Sequence, residues 1–78
     1  MNTNTVDMLI HVHPELPQEA RAKIEQEVSA CNGVITANFD HHKHPHALIV
    51  LYNPDVIQSR KMLDVVKRHD PAATMAGL

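Results

Sequence analysis

The segment Val34-Ile-Thr-Ala-Asn-Phe-Asp-His-His-Lys-His-Pro-His-Ala-Leu-Ile-Val-Leu-Tyr52 decides the fold, because it predicts a hairpin at the centre of the chain. Two apolar runs, 34–39 and 47–52, flank a polar turn that contains a proline, a pattern typical of two paired strands. The second run is the most hydrophobic of the chain, which predicts a central strand. The turn itself, 40–46, carries four of the seven histidines.

The segment before the hairpin predicts a strand followed by a helix. Apolar residues alternate from Val6 to His13, which is the period of a strand with two different faces. One face carries Met8, Ile10 and Val12, and the other carries Leu9, His11 and His13. Pro17 then suits the first position of a helix, and the pair Asn32-Gly33 predicts its end.

The segment after the hairpin predicts a second helix and a weak edge strand. Asn53-Pro54 has the pattern of a helix start, basic residues at 67–69 suit a helix end, and 72–78 is long enough for a strand. The order βαββαβ predicts an α+β, ferredoxin-like sandwich over residues 1–78, a single domain. It has a four-stranded antiparallel sheet, order 4-1-3-2, with both helices on one face.

The composition argues against several classes of function. The net charge is −2 and the aromatic residues are Phe39 and Tyr52, which argues against nucleic-acid binding. No apolar run approaches the roughly 20 residues of a membrane span. Cys31 is the single cysteine, so an intrachain disulfide is excluded and a reducing, cytoplasmic location is expected. We find no pattern of a nucleophile with a base, and we expect no enzyme activity.

The predicted topology gathers all seven histidines at one end of the domain. His11 and His13 lie at the end of the first strand, the turn joins the second and third strands, and His69 follows the second helix. Neutral imidazole is a good ligand for borderline ions, which predicts a copper or zinc site in a metallochaperone or metal buffer. The candidate ligands are His11, His13, His41, His42, His44 and His46. His69 is interpreted instead as a cation at a helix end.

Two other interpretations remain open. The turn can be a solvated, pH-sensitive hairpin end without metal, as in a regulatory domain that senses pH. In addition, Leu9, Ile49 and Leu51 are expected on the sheet face that the helices leave open, where apolar side chains favour a cover. That face predicts a homodimer or a partner protein, and with it an interaction or chaperone module; a disordered or folded-back tail of the chain is the alternative.

The span from about Met8 to Met75 resembles a heavy-metal-associated domain, the small fold of copper chaperones and copper ATPase modules. The resemblance rests on the element spacing and on Cys31-Asn32-Gly33-Val34, where the family typically has Leu-x-Gly-Val. It implies a metal loop at the end of the domain that carries the histidines.

The family's decisive motif is missing. The resemblance implies Met-x-Cys-x-x-Cys in the first loop, and those positions hold Glu15, Pro17 and Ala20 here. Cys31 takes the place of a core leucine and is expected to be a buried small hydrophobe. None of the family's ligands carries over, so any metal site must be built from other residues.

Overall fold

The computed structural model describes residues 4–40 and 44–77, with side chains at all of these positions except 40, 44, 45 and 77. The elements follow the predicted order βαββαβ. They are β1 Val6–His11, α1 Gln18–Ser29, β2 Val34–Asp40, β3 His44–Tyr52, α2 Ser59–Lys67 and β4 Thr74–Gly77. Neither helix of the described ranges is long and apolar enough to cross a membrane.

The strands form one antiparallel sheet in the order β2-β3-β1-β4. This is the predicted order 4-1-3-2 read from the opposite edge, so the ferredoxin-like fold is confirmed. β3 is a central strand, as its hydrophobicity predicted. β1 pairs with β3 from Val6↔Tyr52 to His11↔Ala47, and β4 pairs with β1 as an edge strand.

The core lies between the helices and one face of the sheet. In β1 and just beyond it, Met8, Ile10 and Val12 are buried, as the alternation predicted. The helices cover them with apolar side chains at helical spacing. The fully buried side chains of greatest volume are Ile10, Ile24, Leu48, Met62, Val28, Val50 and Val66.

A β-bulge of three residues in β3 separates the end of the hairpin from this core. Successive pairs of β2 and β3 are Phe39↔Leu48 and Asp40↔His44, so positions 45–47 of β3 lie between two adjacent positions of β2. On its other edge β3 keeps a regular ladder, and the His46 carbonyl accepts the Val12 N–H at 2.9 Å. The bulge therefore changes the register of the hairpin end while β1 holds β3 in place.

Gly33 is required where α1 gives way to β2. Its φ is +101°, a conformation that costs little only for glycine. A Cβ there would stand 2.8 Å from Ile57 Cγ2 and 2.9 Å from Val56 Cβ. The Gly33 carbonyl also accepts the Asn53 N–H at 2.8 Å, so backbone approaches backbone closely at this point.

The second helix begins later than its start signal predicted. Asn53-Pro54 makes one turn, in which the Asn53 side chain accepts the Asp55 N–H at 2.9 Å and its carbonyl accepts the Ile57 N–H at 3.1 Å. Gln58 is extended, and α2 starts at Ser59. The prediction was wrong because the chain leaves the turn to place the Ile57 side chain in the core, where it is 7% exposed.

Two smaller predictions also need correction. β1 ends at His11 rather than at His13. Cys31 is half-buried rather than buried, because it lies at the rim of the core where α1 ends. Its Sγ is 3.4 Å from the Glu27 carbonyl, the acceptor one helical turn earlier.

Candidate metal site at the histidine end of the sheet

His11 and His46 come together at the end of the β1–β3 ladder. Their ring centroids are 6.1 Å apart and their planes are tilted by 41°. Both side chains are half-buried. The strands fix the two backbone positions, because His11 pairs with Ala47 and the His46 carbonyl bonds to Val12.

The separation of the two rings is compatible with one metal ion between them. With a metal–nitrogen bond of about 2.0 Å, each ring centroid lies about 3.2 Å from the ion. Two such rings are then about 5.2 Å apart at a tetrahedral angle and about 6.4 Å apart when collinear. The observed 6.1 Å lies near the collinear end of this range and above the tetrahedral value, and it is also an ordinary distance for a tilted aromatic pair.

His13 is held by the loop that follows β1. Its Nδ1 accepts the Glu15 N–H at 3.1 Å, and its own N–H donates to Asp70 Oδ2 at 2.7 Å. A neutral ring that accepts at Nδ1 carries its proton at Nε2, so Nε2 has no free lone pair for a metal. His13 could ligate only after this hydrogen bond is released.

Asp70 is a residue that positions this end of the sheet and that the sequence did not indicate. It is 7% exposed, and Oδ1 accepts the Ala72 N–H at 3.1 Å in addition to the bond from His13. The carboxylate thus ties the end of β1 to the loop after α2. The sequence shows Asp70-Pro71 as a helix stop, and nothing local indicates the bond to a residue 57 positions away.

The His69 side chain is bound to a residue of α1. Its Nε2 lies 2.8 Å from Glu27 Oε2 on α1, with the two side chains 21% and 41% exposed. The pair links the end of α2 to α1. This contact agrees with the structural role expected of His69.

Three of the four turn histidines are not tested by the structure. His41 and His42 lie outside the described residues, and for His44 the backbone alone is described, paired with Asp40. Within the described side chains, no three His, Cys, Asp or Glu groups are arranged to hold a metal ion. The ligand set His11, His13, His41, His42, His44 and His46 therefore stays a prediction.

The first loop offers no soft ligand in place of the family's cysteines. Pro17 and Glu15 are exposed and Ala20 is half-buried. Arg21 binds back to the loop, with Nη2 donating to the Pro14 carbonyl at 2.9 Å. The guanidinium also lies 6.0 Å from the Phe39 ring centre. The donors near this end are imidazole nitrogens, which suit borderline ions better than soft Cu⁺.

A groove of about 680 Å³ lies where α1 ends, between Cys31, the turn at 56–58 and α2. Three cations, Arg60, Lys61 and Arg68, line it together with Asp64. No residue of the histidine end contributes to its lining. The groove is therefore separate from the candidate metal site.

Solved structures share this fold. A protein of Bacillus anthracis str. Ames, provisionally described as copper-ion-binding, superposes with a TM-score of 0.75 at 13% identity over 96% of this chain and 100% of its own. The N-terminal soluble domains of Bacillus subtilis CopA give a TM-score of 0.72 at 18% identity over 87% of this chain. The match covers 45% of that CopA chain.

The similarity establishes the fold class. The protein is a ferredoxin-like βαββαβ domain of the kind found in these two structures. No family model and no curated protein matches its sequence. The structural likeness is thus carried by the backbone arrangement rather than by shared residues.

Proposed function

We propose that this protein is a member of the heavy-metal-associated class that binds a borderline ion, copper or zinc, through imidazoles. It would serve as a metallochaperone or metal buffer. The observation that carries the proposal is the His11–His46 pair, whose ring separation of 6.1 Å suits a shared ion. The two structures of the same fold, one provisionally described as copper-ion-binding and one from CopA, support it.

Two imidazoles leave coordination positions for further ligands. Structural zinc sites take four ligands, and the predicted donors His41, His42 and His44 belong to the same hairpin as His46. His13 follows His11 by two residues and can join once its Nδ1 releases the Glu15 N–H. Among divalent ions, Cu²⁺ binds imidazole more tightly than Zn²⁺ on the Irving–Williams order, so copper is the preferred ion.

The proposed role is binding rather than catalysis. In the described part of the chain, the thiol of Cys31 contacts a backbone carbonyl and not a base. The single cysteine suits a reducing compartment, and we place the function in the cytoplasm.

The test is a metal titration of tag-free protein. Cu²⁺ and Zn²⁺ are titrated into the wild type, His11→Ala, His46→Ala and the triple variant His41→Ala, His42→Ala, His44→Ala. We expect submicromolar binding by the wild type and a loss of tenfold or more in each variant, because each removes a ligand. Titration against a competing chelator gives the affinities.

His69→Gln is the matched control, since the His69 ring is bound to Glu27 rather than free for metal. A glutamine can still donate to Glu27, and we expect this variant to bind as the wild type does. Equally weak binding by wild type, site variants and control would refute the proposal.

A second candidate function rests on the open face of the sheet. Ile49 is 36% exposed there, and Leu9 and Leu51 beside it are half-buried. Apolar side chains grouped on a bare sheet face favour a protein partner. An interaction module would form a complex that persists in chelator and is lost in Leu51→Asp. A complex lost in chelator and retained in Leu51→Asp would contradict this function.

A further inference from the structure

The groove between the end of α1 and α2 is positively charged, although the protein is negative overall. Arg60, Lys61 and Arg68 line it, and Asp64 is the one acidic residue among the described residues that do so. Three positive charges against one negative charge leave the groove at +2, whereas the whole chain carries −2 with neutral histidines. The groove therefore attracts anions in a protein that as a whole does not.

The three cations are not neutralised within the fold. Asp64 lies four residues after Arg60 and four before Arg68, a spacing at which helical ion pairs form. Among the described side chains, however, the ion pair is His69–Glu27, and none of the three cations takes part in one. All three are exposed. Their charge is therefore available to a ligand that enters the groove.

Two of the cations oppose the dipole of their own helix. Arg60 and Lys61 are the second and third residues of α2, at the end where the helix dipole is positive and favours acids. The first turn contains no acidic residue, and the N-cap residue Gln58 makes no side-chain cap bond. The stability of the helix therefore does not account for these two cations. Departures of this kind from local preference are expected at functional sites.

The groove combines this charge with an apolar wall. Val56 is 50% exposed and lines the groove beside Val65 and the half-buried Cys31. Arg60 and the C-cap residue Arg68 are about 12 Å apart along the helix axis. An extended peptide covers this distance with about four residues, and acids at alternate positions project to one side about 6.6 Å apart. The row of cations therefore suits an acidic chain better than a single small anion.

The groove also contains acceptors, which distinguish a peptide from a phosphate polymer. Asp64, Asn32 and Gln58 line it, and their side chains accept hydrogen bonds, the two amides donating as well. A peptide offers backbone N–H donors to these acceptors together with its acidic side chains. A phosphate polymer offers no such donor and is repelled by the Asp64 carboxylate. An acidic peptide therefore matches more of the lining.

We propose that the groove binds an extended acidic segment of a partner protein. Two or more Asp or Glu side chains of that segment contact Arg60, Lys61 and Arg68, and an aliphatic side chain packs on Val56. Each guanidinium can form a bidentate pair with a carboxylate, which is among the strong hydrogen-bonded pairs of proteins. The proposal does not depend on metal binding, because no residue of the histidine end lines the groove.

The experiment identifies binding peptides without assuming their sequence. Random short peptides displayed on phage are selected on the tag-free protein, and the enriched sequences are synthesised with a fluorescent label. We expect enrichment of peptides with two or more acidic residues and a nearby Leu, Ile or Val. Fluorescence anisotropy gives their dissociation constants, which we expect to rise with salt concentration because the cations are exposed.

The double variant Arg60→Glu, Lys61→Glu tests the groove without weakening the fold. Both substitutions place an acid in the first turn of α2, where the helix dipole favours it. We therefore expect the free energy of unfolding in urea to stay equal or to rise, while the dissociation constant of the enriched peptides rises about tenfold or more. Such opposite effects on stability and binding cannot come from unfolding.

Lys61→Glu and Lys67→Glu form the matched pair. Both lysines are exposed residues of α2 and both substitutions change the net charge equally, but Lys67 does not line the groove. We expect Lys61→Glu to weaken peptide binding several-fold and Lys67→Glu to retain it. Equal losses in the two variants would overturn the site, because they would show attraction to the overall charge of the protein.

The remaining outcomes separate this inference from its alternatives. A selection that enriches no peptide, or only peptides without acidic residues, would overturn it. Inorganic polyphosphate that binds the groove more tightly than every enriched peptide would overturn the choice of a protein partner. Metal titration of the double variant is expected to match that of the wild type, so a failure of the proposed metal binding leaves this inference standing.

Discussion

At the scale of single residues, the histidine end is organised by the Asp70 carboxylate. Both of its oxygens accept backbone N–H groups, from His13 at 2.7 Å and from Ala72 at 3.1 Å. The acceptor is 7% exposed, and hydrogen bonds to a charged group are stronger than those between neutral groups. Asp70 therefore holds the histidine end of β1 against the loop after α2.

We expect Asp70→Ala to lower the free energy of unfolding by about 2 kcal/mol, because it removes two hydrogen bonds to a carboxylate, and hydrogen bonds to charged groups contribute about 1.5–3 kcal/mol. Urea denaturation measures the change. Asp70→Asn keeps one acceptor oxygen and is expected to lose less. A change below about 0.5 kcal/mol for the alanine variant, the size of a neutral surface substitution, would contradict this role.

The residue scale also shows why the site was harder to predict than the fold. The alternation of Met8, Ile10 and Val12 is a local signal, and the structure confirms it. The bond that holds the His13 backbone reaches Asp70 over 57 positions, and the bond that holds the His69 ring reaches Glu27 over 42 positions. Such bonds leave no local pattern, because each partner is an ordinary polar residue in its own segment.

At the scale of elements, Gly33 controls how α1, β2 and the turn before α2 meet. Its φ is positive, and Ile57 Cγ2 lies only 2.8 Å from the point that a Cβ would occupy, which leaves no room for a side chain. The pair Asn32-Gly33 predicted this helix end correctly. The start of α2 was missed because Asn53-Pro54 signals a turn of helix without specifying that the turn continues.

We expect Gly33→Ala to lower the free energy of unfolding by about 2–4 kcal/mol, through left-handed backbone strain and overpacking against Ile57. Thermal and urea unfolding both measure it. Ala22→Gly, an exposed change within α1, is the comparison and should cost about 1 kcal/mol from helix propensity alone. Equal losses in the two variants would show that the contact at Gly33 is unimportant.

At the scale of the whole molecule, charge depends strongly on pH. The net charge is −2 with neutral histidines and would be −2 + 7 = +5 with all seven protonated. Imidazole protonates with a midpoint near pH 6.5 in model peptides and binds metal in its neutral form, so protons and metal ions compete for the same nitrogens. Acidification therefore acts against metal binding.

We expect metal affinity to be constant near pH 8 and to fall below about pH 6.5, by about tenfold per pH unit for each imidazole that ligates. Competition with a chelator of known pH dependence at pH 7.5, 6.5 and 5.5 measures the slope, and with it the number of histidine ligands. Circular dichroism of the metal-free protein over the same range shows whether the fold persists. An affinity that does not change between pH 7.5 and 5.5 would exclude imidazole ligands.

The bulge at 45–47 separates the pairing of Asp40 with His44 from the regular pairing of the rest of the sheet. Leu48 restores the pairing with Phe39, and β1 holds the opposite edge of β3. Positions 45–47 of β3 have no paired residues on β2, and Leu48 is nevertheless fully buried in the core. Lengthening or replacing the segment between Asp40 and His46 should thus leave the scaffold intact, which makes this hairpin a position where new ligands can be acquired, in evolution or by grafting, one residue at a time.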